Sequence, residues 1–322
     1  MNSKIKKSET IAKEFLPKSV SVLYTLKDGR IAIGGNTSLL IYNMKTNNVD
    51  IKINLGSNQV KFIFELNGNK LFYFTRSYET EGPYADEYFY NDLVEISGNS
   101  YKDVTNILPS ESKYDIIREY SDKILFAGIS YSLKYHKDDK YYFTNAMGDK
   151  KIEKLLLQDK YQIINSINID FIDFFLLNKN LIAVLLINKL DFYDINELKQ
   201  IKTSPKINNL YTCVKMAYFS ENLIIIGTTR TIEIFDYKNF MTIKSIYCVY
   251  PIKKIFANKN KLFIGESDKY ESRITEYEMD ETGDYKKIDT FNNPHKYELI
   301  DFTHVEDGRL ITTDSCDVKI WS

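Results

Sequence analysis

The side chains best suited to chemistry in this chain are the acids and tyrosines of the segment 76–90. The segment contains four acids against one base, together with five aromatic residues. Tyrosine is a favoured anchor at protein interfaces because it combines a large apolar ring with a hydroxyl group. We therefore predict that the segment is a loop that binds a protein partner, and its acidity favours a basic peptide. The residues assigned to this contact are Tyr78, Glu81, Tyr84, Glu87 and Tyr88. The alternative is a surface insertion without function, because loops tolerate insertions.

A second tyrosine-rich segment, 129–139, follows one repeat later in the chain. It contributes Tyr131 and Tyr135 to the predicted protein-binding site. Two long connections from neighbouring repeats that emerge on one face favour a binding site more than either connection alone.

Residues for catalysis or metal binding are sparse. The chain has three histidines and three cysteines, and no two of them stand at a metal-ligand spacing, so we predict no metal and no cofactor. His304 near Asp301 is the one arrangement that resembles part of a nucleophilic triad, but no nucleophile accompanies it and a structural histidine is favoured. If the protein is instead a hydrolase or lyase, the candidate acids are Asp170, Asp173 and Asp301.

The elements that position these residues come from a repeated pattern in which a turn-forming cluster is followed at once by a short apolar strand. The pattern occurs seven times at a spacing of roughly 40–55 residues, which is typical of stacked four-stranded units. The apolar strands are 31–33, 71–74, 124–127, 181–184, 223–226, 262–264 and 310–312.

Each repeat is interpreted as four strands, of which the apolar strand is the second. In the third repeat we predict the third strand at 141–145 and the fourth at 152–157. The last repeat lacks a fourth strand, whereas a spare strand, predicted at Thr10–Leu16, precedes the first repeat. Pairing the two ends of the chain would complete the last unit and remove a free sheet edge.

This arrangement resembles a WD40-type β-propeller over essentially the whole of 10–322. In that family the third strand ends in an aromatic residue followed by Asp, which is matched here by Tyr193-Asp194 and Phe235-Asp236, and more loosely by Trp321-Ser322. The resemblance implies an all-β fold of seven four-stranded antiparallel blades, with the ring closed by the N-terminal strand. The Gly-His pair that precedes the first strand in this family is absent, so the hydrogen-bonded His, Ser/Thr and Asp set of the family is not expected.

Composition limits the partners and the compartment. The 43 basic and 44 acidic residues give no basic field for nucleic acid. The polar N-terminus predicts no secretory signal, and the apolar runs are far shorter than the ~20 residues of a membrane-spanning helix. Three cysteines indicate reduced thiols and a cytoplasmic protein.

Taken together, the sequence predicts one propeller domain over residues 1–322, with 1–9 as a flexible N-terminus. The predicted function is a non-enzymatic scaffold that presents connections to protein partners within a multi-subunit complex. A propeller-fold hydrolase or lyase is the alternative.

Overall fold

The structure is a computed structural model. It describes residues 8–67, 69–80, 85–108, 114, 116–121, 124–129, 135–137, 140–142, 151–158, 160–169, 171–186, 189–204, 215–220, 222–258, 260–268, 270–292 and 294–322. The chain divides into two compact units, one formed by Ile11–Asp170 and the other by Phe171–Ser322 together with the N-terminal residues up to Thr10.

The described part of the chain begins with β1 (Ser8–Thr10), which belongs to the second unit. The first unit starts with a 3-10 helix, Lys13–Phe15, and contains another at Thr105–Ile107. Its strands are β2 (Val20–Thr25), β3 (Ile31–Asn43), β4 (Asn48–Leu66), β5 (Lys70–Thr80), β6 (Ala85–Ser97), β7 (Ser100–Asp103), β8 (Ile116–Ser121), β9 (Ile124–Ile129), β10 (Tyr135–Lys137), β11 (Lys140–Tyr142), β12 (Lys151–Leu157) and β13 (Tyr161–Asn168). They form a six-stranded sheet β2-β3-β4-β5-β6-β7, a four-stranded sheet β8-β9-β12-β13 and the two-stranded ribbon β10-β11.

The second unit consists of four-stranded antiparallel meanders. Its strands are β14 (Asp173–Asn178), β15 (Leu181–Leu185), β16 (Leu190–Asp194), β17 (Gln200–Thr203), β18 (Lys215–Tyr218), β19 (Leu223–Gly227), β20 (Thr231–Asp236), β21 (Met241–Tyr247), β22 (Ile252–Asn258), β23 (Lys261–Ser267), β24 (Ser272–Met279), β25 (Tyr285–Asn292), β26 (Asp301–His304), β27 (Leu310–Thr313) and β28 (Val318–Trp321). The sheets are β14-β15-β16-β17, β18-β19-β20-β21, β22-β23-β24-β25 and β26-β27-β28-β1. No helix in the described part of the chain is long and apolar enough to cross a membrane.

All seven predicted apolar strands are confirmed, and each is the second strand of a meander. Seven separate blades are not confirmed, because the described residues form six sheets of four or more strands. The difference lies in the first two repeats. Strands that were expected to be separate are joined here, because β3 and β4 each form one long continuous strand. The first two repeats therefore share one six-stranded sheet.

Two other predictions are wrong. In the third repeat, the third and fourth strands are β12 and β13, whereas 141–145 and 152–157 were predicted. The apolar run of β12 packs as a central strand, with Ile152 and Leu155 buried, which the prediction had placed at the sheet edge. The closing strand lies earlier than predicted, because Ser8–Thr10 pairs with Lys319–Trp321 whereas Lys13–Phe15 is a 3-10 helix. Ser8 and Glu9 therefore belong to a strand and not to a flexible N-terminus.

Neighbouring sheets of the second unit pack through buried apolar side chains of their first and second strands. One cluster joins the sheet of β18–β21 to that of β22–β25, and another joins the latter to the sheet of β26–β28. Gly227 and Gly265 allow this approach, because a side chain at either position would overlap Ile255 or Phe302 of the next sheet. The first strands of these sheets are thereby held side by side.

Candidate functional site

In its described residues, 76–80 and 85–90, the predicted binding segment consists of two paired strands. β5 and β6 remain paired out to Thr80 and Ala85, with Tyr78 opposite Glu87 and Ser77 opposite Tyr88. β4 pairs with β5 only as far as Arg76, and β7 pairs with β6 only from Val94, so the ribbon extends beyond the rest of its sheet. Glu81 and Tyr84 lie outside the described residues, and the predicted five-residue contact stays a prediction.

The second predicted segment also contains paired strands. Tyr135 is in β10, opposite Tyr142 of β11, and this ribbon lies within the connection between β9 and β12. Tyr131 lies outside the described residues. Both ribbons therefore occur between the second and third strands of their repeats, the first as an extension of β5 and β6 and the second between β9 and β12.

The second unit contains a buried hydrogen-bond network that the sequence interpretation did not expect. Thr312 Oγ1, in β27, lies 2.6 Å from His295 Nε2 and accepts a 2.9 Å hydrogen bond from Trp321 Nε1 in β28. His295 Nδ1 faces Asp314, with 3.6 Å between the nitrogen and Oδ2. The side chains of His295 and Asp314 are almost wholly inaccessible to solvent.

Burial sets the charge of this network. Thr312 Oγ1 accepts from Trp321 and retains a second lone pair and its own proton, so it can accept from or donate to His295 Nε2, depending on the tautomer of the imidazole. Burial lowers the pKa of His295, against the opposing effect of Asp314, and the ring is therefore neutral at pH 7. The network is therefore a hydrogen-bonded set of His295, Thr312 and Trp321, with Asp314 beside the neutral ring, and His295 Nδ1 has no hydrogen-bond partner within the described residues.

This network corrects the expectation that no such set would be present. The Gly-His pattern does not reveal this histidine, because Pro294 precedes His295 and five residues lie between His295 and the start of β26 at Asp301. The signal that could have found it is the order His, Thr, Asp, Trp along one repeat, ending in the single tryptophan of the chain.

The network fixes the connection between β25 and β26. Asp314 Oδ1 accepts the backbone N–H groups of Cys316 and Asp317, and Oδ2 lies 3.4 Å from the backbone nitrogen of Tyr297. Lys319 donates a 2.8 Å hydrogen bond to the carbonyl oxygen of Pro294. The connection is thus held from the second strand, the following turn and the third strand of its sheet.

A buried acid holds the preceding connection in a similar way. Glu266, in β23, accepts the backbone N–H groups of Val249 and Tyr250 at 2.7 and 3.1 Å. Its carboxylate also forms two hydrogen bonds with the Arg273 guanidinium, at 2.8 and 2.9 Å. Nearby, burial, and to a lesser extent the charge of Glu266, raise the pKa of Cys248 to about 12, so this thiol is not a nucleophile at neutral pH. The cluster therefore positions backbone rather than performing chemistry.

Exposed apolar side chains lie at the end of β21, on the two connections held in this way and on the turn between β23 and β24. The exposed fraction is 80% for Tyr247, 53% for Val249, 82% for Tyr270 and 53% for Tyr297. In an antiparallel meander, the turn after the second strand and the connection after the fourth emerge at the same end of the sheet. We call the surface formed by Tyr247, Val249, Tyr270 and Tyr297 the tyrosine face.

The acids named for a hydrolase or lyase have structural partners where they are described. Asp301 lies 2.7 Å from Lys254 Nζ, and Asp173 accepts the backbone N–H of Phe174. Asp170 lies outside the described residues. Within the described residues, no group of three or more His, Cys, Asp or Glu side chains is placed to hold a metal ion. His304 is buried and lies 4.8 Å, centroid to centroid, from the Phe263 ring.

Comparison with known proteins shows the fold. No family model and no curated protein matches the chain. A chain of the mitotic checkpoint complex superimposes with a TM-score of 0.68 at 10% identity, covering 98% of this chain and 90% of that one. Streptogramin B lyase superimposes with a TM-score of 0.64 at 11% identity, covering 100% and 99%. The similarity and the repeated antiparallel meanders together show an all-β propeller fold.

Proposed function

We propose that this protein is a non-enzymatic scaffold that binds protein partners through the connections of its propeller blades. The observation that carries the proposal is the tyrosine face, in which three tyrosines and a valine are exposed and buried acids hold the backbone at Val249 and Tyr297. Because the backbone is already ordered, a partner that docks there loses little conformational entropy at this surface. Tyrosine is enriched among the residues that dominate interface energies.

The proposal also includes the number of blades, a role within an assembly and a second contact surface. We infer that the six-stranded sheet counts as two blades, which would give seven WD40-type blades in one cytoplasmic domain. The similarity to a chain of the mitotic checkpoint complex supports a role within a larger assembly, since that neighbour is a component of a complex. The ribbons that carry Tyr78, Glu87 and Tyr135 provide a second contact surface, for which the acidity of 76–90 favours a basic peptide.

The experiment compares partner capture by variants of each surface. In the first variant, Tyr247, Tyr270 and Tyr297 are all replaced by Ser. The matched control is Tyr101→Ser, because Tyr101 is also exposed, at 43%, but lies on the outer strand β7. Proteins captured from the native source are quantified by mass spectrometry. We expect at least one partner to be lost with the triple variant and retained with Tyr101→Ser; capture of the same set by both would contradict the tyrosine face as the contact.

A second variant tests the ribbons separately. It replaces Tyr78, Glu81, Tyr84, Glu87 and Tyr88 by Ala or Ser. Loss of a basic partner with this variant alone would place that contact on the ribbon, whereas unchanged capture would remove the ribbon from the proposal.

The alternative function is a lyase, and the similarity to streptogramin B lyase over the full chain is the observation that favours it. Its test is direct: the purified protein is incubated with a streptogramin B and the substrate is followed by mass spectrometry. The scaffold proposal expects the substrate to remain intact. Conversion that tracks the protein concentration would support the lyase instead.

A further inference from the structure

The outer strand β13 has an unusual edge. β13 pairs with β12 on one side, and its other side is the end of the sheet. None of its eight residues is charged. Ile163 and Ile164 are adjacent and exposed to 48% and 49%. A long edge that carries no charge and exposes two adjacent isoleucines is a template for pairing with another strand.

Four outer strands, β13, β17, β21 and β25, share a β-bulge at the same place with β4, the third strand of the six-stranded sheet, and this allows a direct comparison. The bulged residue has no partner in the register of its sheet. It is Asp50 in β4, Ile164 in β13, Ile201 in β17, Ile243 in β21 and Ile288 in β25. The bulge therefore belongs to the blade architecture and does not distinguish β13.

The charge at the bulge does distinguish β13. Lys202 follows Ile201, Lys244 follows Ile243, and Lys287 and Asp289 flank Ile288, while in β4 the bulged residue is itself an aspartate. Ile164 is flanked by Ile163 and Asn165. Charged residues, above all Lys, are what natural proteins place on exposed edges to prevent pairing. Among the bulged strands that the structure describes, β13 alone lacks one.

We propose that the β13 edge pairs with β13 of a second copy of this chain, in an antiparallel, two-fold symmetric contact. A symmetric contact places the same strand on both sides, so an edge with a lysine at its centre would bring like charges together. The edge of β13 carries no charge, so two copies of it bring no like charges together. With the two-fold axis at Ser166, Ser166 lies opposite Ser166 of the second copy, and Asn165 lies opposite Ile167 of the second copy. Uncharged polar and apolar residues then meet, and the exposed Ile163–Ile164 pair packs at the margin of the contact.

The experiment measures the mass of the full-length protein by light scattering after size exclusion, over a range of concentrations. We expect the wild type to approach twice 37.7 kDa as the concentration rises. Ile164→Lys restores the charge that the other bulges carry, and we expect it to weaken the dimer at least about tenfold. Ile201→Lys is the matched control, since Ile201 is the bulged isoleucine of β17, is 60% exposed and already precedes a lysine. It should leave the dimer unchanged.

Hydrogen exchange locates the contact independently of the mass. The amides of 165–168 should become protected as the wild-type concentration rises, and should not in Ile164→Lys. Far-UV circular dichroism confirms that the variants are folded, which the exposure of Ile164 leads us to expect. A wild type that is monomeric at every concentration would overturn the proposal and would leave the edge to a different partner. A dimer that Ile164→Lys does not weaken, or that leaves 165–168 unprotected, would overturn it equally.

Discussion

Replacement of Thr312 by Val tests whether the buried network stabilises the last sheet. The hydroxyl of Thr312 is bonded to both Trp321 Nε1 and His295 Nε2, and valine keeps the shape of the side chain while removing the hydroxyl. Each buried polar group left without a partner costs about 1–3 kcal/mol. The His295 side chain is wholly buried and incurs the full penalty, whereas Trp321 is partly exposed and incurs less. We therefore expect the free energy of unfolding to fall by about 2–4 kcal/mol.

The neighbouring residue provides a matched control. Thr313 is as fully buried as Thr312, but its hydroxyl has no hydrogen-bond partner in the described part of the chain. Thr313→Val should therefore be neutral or slightly stabilising, because it removes an unsatisfied buried polar atom.

The assay is equilibrium unfolding in urea with two detection methods. Trp321 is the only tryptophan of the chain, so its fluorescence reports on this sheet, while far-UV circular dichroism reports on all sheets. Thr312→Val should shift the fluorescence transition to lower urea and change the emission of the native state. Equal unfolding free energies for Thr312→Val and Thr313→Val, within about 0.5 kcal/mol, would refute the role given to the network.

Three further predictions concern the other elements. Glu266→Gln should cost about 2 kcal/mol and speed hydrogen exchange at the amides of 249–250; unchanged exchange would argue against the proposed anchoring. Burial, and to a lesser extent the charge of Asp103, raise the pKa of Asp92 to about 6. Because this pKa is higher than that of an aspartate in the unfolded chain, the folded state gains stability as the pH falls from 7 to 4. Asp92→Asn should thus stabilise the protein by about 1 kcal/mol at pH 8 and not at pH 4, and an equal effect at both pH values would count against this. Deletion of 1–10 should expose the edge of β28 and destabilise its sheet by about 1–3 kcal/mol by Trp321 fluorescence, whereas an unshifted transition would show that β1 is dispensable.

The sequence predicted the strands well where local pattern and burial agree. The second strand of each repeat centres on a largely apolar run, which is largely buried wherever its side chains are described, and all seven runs were identified. The third and fourth strands of the third repeat were predicted wrongly because the connection between β9 and β12 contains a ribbon. The tyrosines of this ribbon resemble a strand of the blade itself. No local pattern distinguishes the two cases, since a ribbon and a blade strand have the same period and differ only in what they pack against.

The candidate site could not be predicted in the same way, because its parts are distant in the sequence. The two anchors, Asp314 and Glu266, are buried acids that accept backbone N–H groups from the connection leading into their own sheet. In a sequence, an acid near a turn is usually a solvated residue, and nothing marks the few that fold inward. The same holds for the tyrosines, since Tyr114 is fully buried whereas Tyr270 is 82% exposed. Whether a tyrosine is exposed, and whether its backbone is held in place, depends on how its sheet packs, and the local sequence does not show this. For this fold, partner-binding residues are therefore better identified by tracing what each buried acid holds in place than by looking for clusters of tyrosines and acids along the chain.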